Sequence, residues 1–164
     1  MSQFSAPWSR FLILTSAGVT VLMLVVFWAV PPISTVDESP AFLWFLYLLP
    51  VLLLGCAALF IVRGYEIVDE NLEIIRVFGR KKYPIETIKS VEYNPAATDM
   101  SIRTMGNGGL YSFSGFFRNS YLGTYRAYST NKMNNVVIHR EKGYPIVISP
   151  GEPAEFIEAI NSRL

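Results

Sequence analysis

The chain has 164 residues, 51% of them hydrophobic and 16% charged, with a formal net charge of +1. That length holds one small domain beside its apolar segments, and the near-neutral balance excludes the basic footprint of a nucleic-acid-binding protein. The single cysteine, Cys56, lies inside an apolar run, which excludes a disulfide framework within the chain.

Two runs without a charged residue, 11–30 and 41–62, flank the polar stretch PPISTVDESP. About 20 residues at 1.5 Å rise each match a hydrocarbon core about 30 Å thick, so residues 1–63 are expected to form a transmembrane helical hairpin. The first run exceeds the roughly 7 to 15 residues of a signal peptide's apolar region, and no small-x-small pattern precedes Pro31, so it is expected to be retained. Arg10 precedes the first run; Arg63, Arg76, Arg80, Lys81 and Lys82 follow the second; the connection holds Asp37 and Glu38 and no base. By the positive-inside rule this predicts a multi-pass protein of the inner (cytoplasmic) membrane with both termini cytoplasmic.

Trp8 fits the inner interfacial belt, and Trp28 and Trp44 fit the outer one. Ala17 and Gly18 match Gly55, Ala57 and Ala58 in depth, which predicts close approach of the two helices. Pro50 predicts a kink in the second helix. Neither run contains an ionisable group of the kind a transport path needs.

From Gly64 the apolar period shortens to alternation, and residues 64–164 read as a separate polar domain. Strands are expected at 65–68, 72–77, 89–93, 124–130, 135–141 and 144–149, with Asp69, Glu70 and Asn71 turning the first hairpin. The segment YPIETI, begun by Tyr83 and Pro84, reads as an edge or a helical turn. Near the end, Ser149 and Glu152 have capping-box spacing, Pro150 suits the first helical position, and Phe156, Ile157, Ile160 and Leu164 share one face. The expected fold is α+β: the membrane hairpin, then about seven antiparallel strands closed by a C-terminal capping helix.

The order YEIVDENLEIIRVFGRKKYPIETIKSVE, GNGGLYSFSGFF, LGTYRAYST and VVIHREKGYPIVISPGEPAEFIEAI resembles the bacterial pleckstrin-homology-like (PH) domain proteins, which often carry two transmembrane helices before the domain. The resemblance covers nearly all of residues 64–164. It implies a PH-like split β-barrel and a non-enzymatic binding or assembly role, and it supplies no ligand. In eukaryotic PH domains a basic loop between the first two strands grips a phosphoinositide, whereas here that loop is acidic.

Two groups of residues are candidates for binding. In the stretch 96–123, glycines alternate with Tyr111, Phe113, Phe116, Phe117 and Tyr121, beside Arg118 and Arg126. More than about 20 residues without structure are unlikely inside a compact domain, so these aromatics either fill the barrel mouth or form an adhesive surface for a protein partner or a second copy. The basic residues Arg80, Lys81 and Lys82 follow a strand that runs back toward the membrane and are candidates to face anionic lipid, at about 1 kcal/mol each. GNGG lacks the Lys-Ser/Thr and the following helix of a phosphate loop, and His139, the only histidine, has no cysteine in its domain and sits in no HExxH motif. No cofactor, metal, catalytic residue, small-molecule substrate or nucleic acid is therefore expected, and the partners are the lipid bilayer and a protein.

Overall fold

The computed structural model describes residues 2–29 and 40–164; the expected outer connection, with Asp37 and Glu38, lies outside them. Two helices come first, α1 (Arg10–Ala29) and α2 (Pro40–Leu59), the latter continuing through Pro50. Ser9 caps α1, its hydroxyl accepting from the Leu12 amide at 3.1 Å and its carbonyl from the Ile13 amide at 3.0 Å. Among the described residues one helix, α1, is long and apolar enough to cross a membrane, and α2 contributes the shorter apolar stretch Trp44–Leu59. The second helix stops three residues before its expected end because Val62 already pairs with Arg76 in a strand. Close approach at the small residues is not observed: a Cβ on Gly18 or Gly55 would meet nothing within 4 Å. A contact between the helices is aromatic instead, with the Phe27 and Tyr47 rings edge to face at 5.3 Å.

Ten strands, one ahead of the helices and nine after them, form two sheets, against about seven expected. The first sheet has the order β1 (Ser2–Ser5), β2 (Val62–Val68), β3 (Asn71–Arg76), β4 (Arg80–Pro84). The second has the order β5-β9-β10-β8-β7-β6, from β5 (Ile88–Tyr93), β6 (Ile102–Gly108), β7 (Phe113–Asn119), β8 (Gly123–Ser129), β9 (Val136–Arg140) and β10 (Ile146–Ile148). The sheets are not wholly antiparallel: β10 lies parallel to β8, with Val147 opposite Ala127. The four-residue β1 and the glycine-rich pair β6 and β7 were not expected, and β4 takes in Arg80, Lys81 and Lys82, whose stretch from Gly79 reads in the sequence as a short basic turn.

The N-terminal strand joins residues on the two sides of the helices. Ser2 to Ser5 pair antiparallel with Ile67 to Gly64, so sequence neighbours of α1 complete a sheet that begins after α2. Gly64 permits the approach, since a Cβ there would stand 2.9 Å from the Phe4 carbonyl oxygen. Arg63, which faced no partner in that ladder, sits at a register shift between Val62 and Gly64.

Strand alternation builds the main core between the sheets. Tyr65, Ile67, Leu72 and Ile74 from the first sheet meet Tyr128, Val136, Ile138, Ile146 and Ile148 from the second. Helix α3 (Pro153–Asn161) adds Phe156 and Ile160, and Phe4 of β1 packs edge to face on Phe156 at 5.1 Å. At the centre, the fully buried Tyr65 hydroxyl donates to the Tyr128 carbonyl at 2.6 Å and accepts from the Ser149 amide at 3.0 Å. Burial pushes its ionisation up to about 12. The other face of the second sheet forms a smaller core in which Leu12 of α1 packs with Phe113, Phe117, Tyr125 and Val147, which fastens the base of the first helix to the domain.

The C-terminal helix starts later than its cap pattern suggested. Glu152 is the N-cap and Pro153 the first helical residue, because the Ser149 hydroxyl is already engaged, accepting from the amides of Thr130 at 2.8 Å and Asn131 at 3.2 Å. Leu164 falls beyond the helix and is exposed.

Candidate binding site

The basic residues expected to face lipid lie along β4, where two of them are already neutralised. Alternation turns Glu66 and Glu73 to the outer face of the first sheet, directly opposite each other in register, and both are buried. Such a like-charged pair needs bridging cations. Arg80 Nη1 lies 2.7 Å from Glu66 Oε2 and 3.1 Å from Glu73 Oε2, Lys82 Nζ lies 2.7 Å from Glu73 Oε1, and the Gln3 amide donates to Glu66 Oε1. Lys81, on the opposite face of the strand, is partly buried.

Hydrogen bonds from Lys82 and then Arg80 hold the Glu73 carboxyl below the usual carboxylate range. A depressed folded-state value stabilises the fold above the unfolded pKa of about 4.3, and that contribution disappears as pH falls through the folded value. Thermal unfolding between pH 7 and pH 3 should therefore show stability dropping below about pH 4.3 in the wild type and a shallower acid slope in Glu73→Gln. Equal slopes would mean that this ion cluster does not govern acid stability.

The Gly/aromatic stretch folds into the β6–β7 hairpin. Gly106 and Gly115 face each other across it with φ of 103° and 141°, and a Cβ on either would overlap the backbone of the opposite strand. The turn between these strands docks on α1. The Tyr111 amide donates to Ser16 Oγ at 2.8 Å, its hydroxyl lies 2.8 Å from Thr20 Oγ1, and Ser112 Oγ donates to the Phe60 carbonyl at 3.1 Å. Ser16 and Thr20 are one helical turn apart, on the face that also carries Leu12, so one stripe of α1 receives both the turn and the smaller core. Tyr111 takes a left-handed φ of 66° in reaching that position.

The other aromatic candidates do not form one surface. Phe113 and Phe117 are buried, the first under Lys132 at 5.0 Å and the second stacked on Tyr125 at 5.8 Å. Phe116 packs edge to face with Tyr144 at 5.7 Å. Arg118 is exposed near the far end of β7, and Tyr121 beyond it donates from its hydroxyl to Glu92 at 2.9 Å. The seven residues of β7 span roughly 20 Å, which separates Tyr111 from this second group. His139 Nε2 meets the same Glu92 at 3.3 Å.

What the fold does assemble is a cleft of about 550 Å³ between the helices and the hairpin side of the domain. Val19 and Met23 of α1 and Leu53 and Leu54 of α2 line one side; Arg76, Arg103 and Arg126 line the other. Arg126 lies over the rings of Phe116 at 5.1 Å and Tyr128 at 5.3 Å, and Arg76 over Phe60 at 5.7 Å. Among the described residues, none of the three has a carboxylate within 4 Å, in contrast to Arg80. The Nε atoms of Arg76 and Arg126 are buried without a hydrogen-bond acceptor.

A family model described as Bacterial PH domain matches residues 63–164. The chain belongs to the bacterial PH domain family. No curated protein and no solved structure matches it. In this PH domain the turn between β2 and β3 carries Asp69 and Glu70, and Arg76, one of the three cleft arginines, lies at the other end of β3, where it pairs with Val62. Two of the three cleft arginines were already marked in the sequence, Arg76 among the basic residues that follow the second apolar run and Arg126 beside the aromatics. Arg103 was not, because its meaning depends on β6, a strand that the glycines concealed. No group of three or more metal-ligating side chains is present among the described residues.

Proposed function

We propose that the chain is a membrane-anchored, non-enzymatic binding module, in which α1 and α2 cross an inner (cytoplasmic) membrane and hold the PH domain against its cytoplasmic face. The observation that carries this reading is the pairing of β1 with β2. Hydrogen-bonded partners lie on one side of a bilayer, and Ser5 faces Gly64 in that ladder; the chain between them therefore crosses an even number of times. A crossing by α1 requires a return, and α2 is the element available for it. Both helices expose aliphatic side chains along their length, Leu14 at 72% and Leu52 at 63% among them, and a bilayer covers such surface at no loss of backbone hydrogen bonding. The Arg10 and Arg63 ends lie together on the domain side, and the positive-inside rule then favours a cytoplasmic domain with both termini cytoplasmic.

Arginines and aliphatic surface line the cleft, a lining suited to binding rather than turnover. A second reading is self-association through β6, an edge strand that exposes Ile102 at 73% and Met105 at 68%.

Alkaline carbonate extraction of membranes containing the full chain, followed by protease treatment of sealed spheroplasts and of inverted vesicles, tests the topology. The protein should stay in the pellet and its domain should be cut only in inverted vesicles. Release by carbonate, or cleavage of the domain from outside, would refute the anchored reading.

A further inference from the structure

We propose that the cleft between the helices and the β6–β8 face binds an anionic phospholipid, with the arginines on its phosphate and its acyl chain along the apolar wall. This inference rests on the anchored reading above, because that reading brings the cleft to the level where headgroups lie. Arg76 pairs with Val62, only three positions after the end of α2, so the base of the cleft coincides with the base of the hairpin.

The chemistry of the lining selects the ligand. Three guanidinium groups converge here without an acidic partner, and no hydrogen bond joins their side chains to an acceptor among the described residues. Buried donors without acceptors are costly, and the Nε atoms of Arg76 and Arg126 are of that kind. A phosphate presents several acceptor oxygens and a full negative charge, and pairs of its oxygens match the planar, forked donors of guanidinium groups. Contact with the rings of Phe116, Tyr128 and Phe60 holds two of these groups in position in advance, which reduces the ordering cost of binding.

A free anion would make no use of the opposite wall. Val19, Met23, Leu53 and Leu54 form an apolar wall of the same cleft as the cations, and an amphiphile satisfies both sides at once. The volume of about 550 Å³ takes a headgroup and the first part of a chain, with the remainder continuing along the helices into the bilayer. The site lies apart from the Arg80 and Lys82 cluster, where Glu66 and Glu73 already supply the counter-charge.

Native mass spectrometry of the full chain in dodecyl maltoside, titrated with phosphatidylglycerol or phosphatidylcholine, is the test. Phosphatidylglycerol should be retained about tenfold better or more, and Arg76→Gln with Arg126→Gln should remove most of that preference. Lys82→Gln should leave it unchanged. Leu54→Trp, which fills the apolar side and keeps every charge, should weaken retention of the lipid; this variant and the comparison of two lipids on the wild type decide the matter if the arginine variant does not fold. Equal retention of the two lipids, or an unaltered preference in a folded Arg76→Gln/Arg126→Gln protein, would overturn the proposal. Displacement of the lipid by millimolar inorganic phosphate would make free phosphate the ligand and overturn the lipid assignment. Carbonate extraction reports separately on anchoring: a protein that stays in the membrane pellet and shows no lipid preference defeats this inference alone.

Discussion

Gly115→Val is expected to be the most damaging single substitution outside the main core. A side chain at φ 141° is strained before any contact is counted, and its Cβ would overlap the Met105 carbonyl oxygen while lying 2.8 Å from Gly106 Cα. Both obstacles are backbone, so neither yields by a rotamer change. The expected loss is about 3 kcal/mol or more, equivalent to roughly 6–12 °C in melting temperature for a chain of this size. The effect reaches beyond the hairpin, because the same strands hold Tyr111 on Ser16 and Thr20 of α1. Thermal unfolding in detergent, read by circular dichroism, measures it; a melting temperature within about 2 °C of the wild type would refute the packing argument.

Tyr65→Phe is expected to cost about 2–4 kcal/mol, although it removes one oxygen and opens little space. The Tyr128 carbonyl and the Ser149 amide both lose their phenolic partner at full burial, and an unsatisfied buried group costs about 1–3 kcal/mol. The pH dependence identifies the group. Burial raises the folded-state ionisation to about 12, whereas the unfolded phenol titrates near 10, so wild-type stability is complete below about pH 10 and declines as pH rises toward the folded value. Tyr65→Phe should lack its share of that alkaline decline. An equally steep decline in the variant would assign it to other groups.

The sequence carried the fold unevenly, and the reasons are local. Short runs of β-branched and aromatic residues between turn signals revealed β2, β3, β5, β8, β9 and β10, strands that bury one face in the main core or, in β8, β9 and β10, both faces in the two cores. The strands β6 and β7 were concealed because the positions that usually carry β-branched signals hold Gly106 and Gly115, which the close approach of two backbones demands. The strand β1 was concealed by brevity, for SQFS offers one large apolar residue, Phe4, to mark a buried face. The helices were legible from composition, but their contact was not, because the two glycines among the small residues that suggested close packing, Gly18 and Gly55, border open space.

The candidate site was legible only in part. Aromatic residues in a glycine-rich stretch announced an unusual element, and the hairpin they form places Phe113 and Phe117 in the smaller core and uses Tyr111 to grip α1. Charge was easier to find than to interpret. Arg80 and Lys82 have the same formal charge as Arg76 and Arg126, but their standing is decided by which residue lies across the strand: Glu73 for Lys82, and Val62 for Arg76. Cross-strand register is not visible along a single segment.

The β1–β2 ladder makes the PH domain discontinuous along the chain. Cutting the protein at residue 63 to obtain the domain alone would leave β2 as a bare edge, with its backbone donors and acceptors open to strand addition by another copy. It would also leave Phe156 without the Phe4 ring that covers it. A faithful soluble version needs residues 2–5 supplied in place, for instance joined to β2 by a short linker that replaces the helices. The same feature makes domain completion a late event: the first strand can pair only after the two helices and Gly64 behind it in the chain are in place, so the sheet closes only when that whole segment has returned to its starting point.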